Sequence, residues 1–256
     1  MIRTEGGPRR VARLKKLACA LSLACGVAGL FSCAQAPPAS DTTSTRARSI
    51  DDELNLGKVY SQLAASEGKA FVLRPQLSAI RIYVFRAGRA AKMGHNHVLS
   101  APQFAGYFYL PPGGTSQARF DLEFRLDQLE IDNPRYRSGL GTAFDSVVSQ
   151  EAIDGTREHM LGEDNMQAAR FPFVRIHSLQ LSGEAPRFAA NVQVELHGQK
   201  REMWVPLSVD GLPSQLLVTG SFVLRQSDFG ATPYAVLGGL LAVQDEIVIE
   251  FKLVGQ

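Results

Sequence analysis

From about residue 77 onward, apolar and polar residues alternate along this chain in eight short runs. In residues 118–126, Phe120, Leu122, Phe124 and Leu126 fall on one face. Arg119, Asp121, Glu123 and Arg125 fall on the other. A period of two gives a strand one dry face and one wet face. Ile80, Ile82 and Val84 alternate in the same way within residues 78–86, and Val192 and Val194 within 187–197. The other runs are residues 103–110, 171–181, 201–209, 216–226 (with Phe222 and Leu224) and 246–254. Turn-forming stretches separate several of them: Pro111-Pro112-Gly113-Gly114, Ser182-Gly183-Glu184-Ala185-Pro186, and Asp210-Gly211-Leu212-Pro213-Ser214.

The pattern predicts an all-β fold in which eight antiparallel strands close into a barrel. Such an interior either fills with side chains or holds one apolar ligand. Residues 143–161 break the alternation, with Phe144, Val147, Val148 and Met160 at irregular spacing and Gly155 interrupting. They predict a short helical insertion between the third and fourth strands, a flap over one barrel end.

The first 33 residues differ from the rest. Six basic side chains precede the apolar stretch of residues 17–31, which is shorter than the roughly 20 residues needed to span a bilayer. Leu30-Phe31-Ser32-Cys33 resembles the lipobox of bacterial lipoproteins, which implies acylation of Cys33 and a periplasmic, membrane-anchored protein. Cleavage after Ala34-Gln35-Ala36, as in ordinary secretion, is the rival reading. Residues 34–67, rich in Pro, Ser, Thr and Ala, predict a flexible tether, with a weak helical spacing across residues 50–65. Cys19, Cys25 and Cys33 all lie at or before the end of the signal, so residues 34–256 must be stabilised by packing without disulfides.

Charge shifts once the signal is set aside. Residues 34–256 keep 21 of the 27 basic and 24 of the 25 acidic side chains, a net of −3. Nucleic-acid binding therefore lacks electrostatic support.

Four further stretches, in order, resemble the YceI-like family over about residues 68–256. They are Phe71-Val72-Leu73-Arg74-Pro75-Gln76-Leu77-Ser78-Ala79-Ile80; Arg157-Glu158-His159-Met160-Leu161 followed by Ala169-Arg170-Phe171-Pro172-Phe173; Val194-Glu195-Leu196-His197-Gly198-Gln199-Lys200-Arg201; and Phe222-Val223-Leu224-Arg225-Gln226-Ser227-Asp228-Phe229-Gly230. The resemblance implies a lipocalin-like barrel that encloses an isoprenoid, a quinone or another amphiphile, with no catalysis and no separate cofactor. Gly94-His95-Asn96-His97-Val98-Leu99 departs from the family by placing two histidines where many relatives carry other residues.

The candidate ligand-binding set is Ile80, Ile82, Phe120, Leu122, Phe124, Leu126, Val192, Val194, Phe222 and Leu224, with His95 and His97 toward a head group. The same apolar residues would equally fill a solid core, which leaves a ligand-free envelope interaction module open. His95 and His97, two apart, would share a strand face and could join a metal- or redox-linked site, but the sequence supplies no complete ligand set. His159 and His177 are the other histidines considered for it. Arg225 and Asp228 are read as fixing a turn, with Gly230 supplying backbone freedom. Trp204 is a packing residue that would report on ligand by fluorescence. No nucleophile elbow, phosphate-binding glycine loop or His-Glu-x-x-His motif is present. The expected partners are an amphiphilic lipid and, through Cys33, a membrane; a homodimer stays open.

Overall fold

The computed structural model describes residues 55–256. The signal, its Cys33 and the tether up to residue 54 lie outside the described residues. Helix α1 (Leu56–Ala64) leads into one antiparallel sheet. Its strands are β1 (Lys69–Val72), β2 (Ala79–Ala87), β3 (His97–Ser100), β4 (Ala105–Leu110), β5 (Arg119–Arg125), β6 (Glu130–Ile131), β7 (Phe173–Glu184), β8 (Arg187–Leu196), β9 (Gln199–Asp210), β10 (Leu216–Arg225), β11 (Ala235–Val236) and β12 (Leu241–Gly255).

Three of the predicted strands are each broken into two pieces. β1 and β2 run successively along one edge of β12: Val72 and Arg74 bond to its end, and residues 79–87 pair further along it. On their other side β1 pairs with β4 and β2 with β3. Likewise β5 pairs with β4 and β6 with β3. The ladder then continues β5-β7-β8-β9-β10-β12. Eleven of the twelve segments thus trace eight paths, each paired with the next; the last is joined to the first by the β12–β2 ladder and the Leu73–Gly255 bridge, and β11 pairs only with β12. The expected all-β, eight-path antiparallel barrel holds, with the sequence having found only one half of each broken path.

Hairpin connectivity sorts the loops to two ends. Residues 88–96, 132–172, 197–198 and 226–240 join strands at one end, called upper here. Residues 111–118, 185–186 and 211–215 join them at the lower end. The lower end is plugged by Phe71, Phe108, Phe188 and Leu216, all buried. The wall is not uniform. β9 and β10 pair only over residues 207–210 and 217–220, and they separate above Pro206, which has no N–H to continue the ladder.

The insertion falls between the third and fourth paths, as expected. Its first part, including α2 (Pro134–Arg137), covers the outside of β2 and β3, where Phe144 packs edge-on against Tyr83. α3 (Gln150–Leu161), capped by Ser149, then crosses the upper end. It runs straight through Gly155, contrary to the expected interruption. An isolated helical glycine costs only about 1 kcal/mol, less than a helix packed over a barrel mouth gains from its contacts.

One boundary needs correction. The tether was expected to run to residue 67, yet α1 is docked on the barrel. Tyr60 is 1% exposed, stacks on Tyr107 at 5.1 Å and donates to Asp121 Oδ2 at 2.8 Å. The spacing of Leu56, Val59, Tyr60 and Leu63 marked the helix, but no local signal showed that its one aromatic had a partner on the wall.

Candidate functional site

The inward faces of the strands do not meet at the centre. They enclose a cavity of about 460 Å³, within the range of small-molecule sites. Ile80, Ile82, Phe120, Leu122, Phe124, Leu126, Val192, Val194, Phe222 and Leu224 all line it, as does His97. The period-two reading therefore put every one of those apolar side chains on the correct face. His95 does not line the cavity. Its Nδ1 meets Ser146 Oγ at 3.2 Å in the outer loop. Burial first, and then the neighbouring His97, hold its pKa below the ordinary histidine value.

The cavity is sharply asymmetric. Its lower part is wholly apolar, while His97, Thr156, His159, Asn165, Gln226 and Tyr234 stand in its wall at the upper end. α3 contributes Thr156, His159 and Met160 there, so the insertion is the roof of the cavity. No Lys, Arg, Asp or Glu lines it among the described residues. Around the outside of the same end, Met93, Val147, Leu237 and Leu240 are exposed, Val147 at 92%.

His97 is held from behind. Its Nδ1 lies 2.6 Å from Asp132 Oδ2, and the other carboxylate oxygen accepts from Val98 N–H at 3.0 Å and from Arg137 Nη1 at 2.5 Å. Arg137 spends its remaining Nη donors on the carbonyl oxygens of Asn96, Phe144 and Ser146. The Asp132 side chain is fully buried. Burial alone would raise its pKa, but the hydrogen bonds from His97 and Val98 N–H and the charges around it outweigh that and hold it below the ordinary value. Asp132 has φ +53°, a left-handed conformation that Asp tolerates better than most residues. Sequence reasoning missed both Asp132 and Arg137. The only signal was the Asp132-Asn133-Pro134 turn, which says nothing about His97, 35 positions away.

The remaining candidates disperse. His177 lies outside the barrel, with its Nδ1 2.7 Å from Asp121. His159 packs against Tyr234, ring centroids 4.5 Å apart. The rings of His95 and His97 are 6.3 Å apart, and no group of three or more His, Cys, Asp or Glu among the described residues is placed to hold a metal ion. Trp204 points outward and is half exposed. Arg225 does not pair with Asp228. It reaches Glu246 across the ladder at 3.1 Å, while Ser227 N–H donates to Asp245 at 2.8 Å to fix the turn that the sequence reading gave to Arg225 and Asp228. Gly230, with φ +73°, does supply the left-handed residue. Gly198, also left-handed at φ +70°, is required for a second reason: a Cβ there would sit 2.5 Å from the Phe171 ring.

A YceI-like domain model matches residues 91–255. The chain belongs to the YceI-like family. Its fold is similar to BcnA of Burkholderia cenocepacia, at 13% identity over 71% of this chain and 98% of that one, with a TM-score of 0.52. A polyisoprenoid binding domain from Saccharophagus degradans, implicated in plant cell wall breakdown, aligns at 12% identity over 73% and 97%, with a TM-score of 0.49. The YCEI protein of Campylobacter jejuni aligns at 9% identity over 61% and 82%, with a TM-score of 0.43. No curated protein matches the sequence. Within the YceI-like barrel described here, the cavity, its polar upper end and the His97–Asp132–Arg137 relay are properties of this chain's own residues.

Proposed function

We propose that this YceI-like protein is a carrier that holds one long-chain amphiphile, an isoprenoid, quinone or similar lipid, with its tail in the barrel and its head at the upper end. The observation that carries the reading is the asymmetric cavity: apolar throughout below, polar only beneath α3. Each buried methylene contributes about 0.8 kcal/mol, so ten carbons contribute about 8 kcal/mol before the costs of ordering the chain. No covalent step is involved. The exposed apolar rim of Met93, Val147, Leu237 and Leu240 suits uptake from, or delivery to, a membrane surface. The signal pattern ending at Cys33 supports export to the periplasm and acyl anchoring there.

Mass spectrometry of the organic extract from purified protein tests this reading. One dominant amphiphile near one per chain is the expected result. A folded, monodisperse protein that carries no lipid and takes none up from vesicles would overturn it.

A further inference from the structure

We infer that the upper end of the cavity selects a neutral head group that donates a hydrogen bond, and that His97 reads it. The inference rests on the carrier reading and adds the chemistry of the head group: an alcohol, a phenol such as a quinol, or a primary amide, in preference to a phosphate, a carboxylate or an oxidised quinone.

The argument begins with the proton on His97. Asp132 is an acceptor and meets Nδ1 at 2.6 Å, so Nδ1 carries the hydrogen. In the neutral ring that leaves Nε2 as a lone-pair acceptor. His97 lies in the cavity wall, and its Nε2 has no protein partner among the described residues. Asp132 cannot turn away to change this, because Val98 N–H and Arg137 occupy its other oxygen.

Its polar neighbours have the same bias. Asn165 spends its Nδ2 on Thr232 O at 2.7 Å, and Gln226 spends its Nε2 on Gln244 O at 2.9 Å. Their side-chain oxygens remain without a protein donor among the described residues. Thr156 gives its hydroxyl hydrogen to Ala152 O. Four polar groups thus present acceptors, while His159 and Tyr234 can play either part.

An anion meets the opposite of what it needs here. A phosphate or carboxylate is held by Arg, Lys or clustered N–H groups, and no Lys or Arg lines the cavity. The guanidinium behind His97, that of Arg137, is buried and bonded to Asp132 and three backbone carbonyls. Desolvating a charged head against lone pairs would cost more than the tail contacts could offset. An oxidised quinone offers only acceptors, so it would leave the four fixed acceptors unpaired and could accept only from His159 or Tyr234.

The test fixes the tail and varies the head. Calorimetric titration of the full protein, delipidated, would compare geranylgeraniol, its methyl ether and its diphosphate, with oleamide and oleate separating amide from hydroxyl recognition. The alcohol is expected to bind about tenfold more tightly than the ether, the worth of one hydrogen bond, and more tightly still than the diphosphate. Equal binding of all heads would overturn the inference and leave the carrier reading intact. Binding of none would overturn both.

Asp132→Asn supplies a readout that a merely structural role would not move. Arg137 and Val98 N–H hold the amide oxygen, so the amide nitrogen faces His97 and Nδ1 becomes the acceptor. Nε2 then carries the hydrogen. The alcohol-over-ether preference is expected to shrink about tenfold, with acceptor heads gaining. A folded Asp132→Asn protein that keeps the original order would overturn His97 as the reader. The wild-type head series decides the head-group chemistry even if that variant fails to fold.

Discussion

Arg137→Met should be among the most damaging single changes outside the apolar core. The Arg137 side chain is 9% exposed and Asp132 is wholly buried. Removing the cation leaves a buried carboxylate with one N–H and one imidazole for company. Breaking a buried pair in this way costs about 3–5 kcal/mol. In a domain of this size about 2–4 °C of Tm is lost per kcal/mol, so the midpoint should fall by about 6–20 °C. Guanidinium and thermal unfolding would measure it. The wild-type acid limb provides an internal check. Asp132 titrates lower in the folded protein than in the unfolded chain, whose value is near 3.8. Its contribution is therefore complete above about pH 4 and drains away as pH falls through the folded value. In Arg137→Met the carboxylate loses a partner that keeps it ionised, so this loss should begin at higher pH. A cost below about 1 kcal/mol, with the acid limb unmoved, would show that the pair behaves like a surface contact and would refute the reasoning.

Other changes probe the wall and the docked helix. Phe124→Arg puts a charge into the apolar cavity wall and should reduce co-purifying lipid to background by mass spectrometry, at a stability cost of about 3–5 kcal/mol; unchanged lipid content in folded protein would count against this face. Gly220→Val should destabilise by about 1–3 kcal/mol in chemical denaturation, because a Cβ there meets Phe251 Cζ at 2.5 Å and the Pro206 carbonyl oxygen at 2.8 Å. It should also lower lipid capacity as the Phe251 ring is pushed into the cavity. Burial, and then the charge of Asp121, raise the Tyr60 pKa far above its ordinary value of 10.0. Its neutral form therefore stabilises α1 at all pH values below about 10, and that support is lost as pH rises towards the folded value. Hydrogen exchange of residues 55–67 should rise in alkali accordingly, and Tyr60→Phe should abolish this step while costing about 1–2 kcal/mol from the lost bond to Asp121.

The barrel was legible because a strand's period of two is a local property. Phe120 to Leu126 report their own face without any knowledge of what lies opposite. The halves that escaped notice are the short or interrupted ones: residues 69–72 precede a one-turn helix, residues 97–100 follow a histidine-rich loop, and β6 is two residues long. Four residues or fewer carry too little alternation to register. The tether was misjudged for the same reason in reverse, since the docking of Tyr60 depends on Asp121, 61 positions later. His97 was named from its spacing two residues after His95 and from that segment's departure from the family pattern. Its partners were not, because Asp132 and Arg137 reach it only after the chain has passed through β4 and β5.

The relay behind His97 is hard to explain as a stabilising device. Buried ion pairs are expensive to desolvate, and well-packed apolar residues of similar volume often replace them without loss. The rest of the cavity wall shows that this chain fills such positions with Leu, Ile, Val and Phe wherever burial is the only requirement. At the upper end it instead places a carboxylate in a left-handed conformation, neutralises it with an arginine and satisfies that arginine with three carbonyl oxygens. The one group left unpaired at the end of this chain of bonds is Nε2 of His97, in the wall of the cavity. In a solid core the free nitrogen of such a ring would lie buried against hydrocarbon, at a cost. Under the proposed carrier function it has a use where a polar atom arrives from outside on the end of an apolar tail, and the polar upper end of the cavity is where, among the described residues, the apolar pattern of its wall is broken and such a tail would stop.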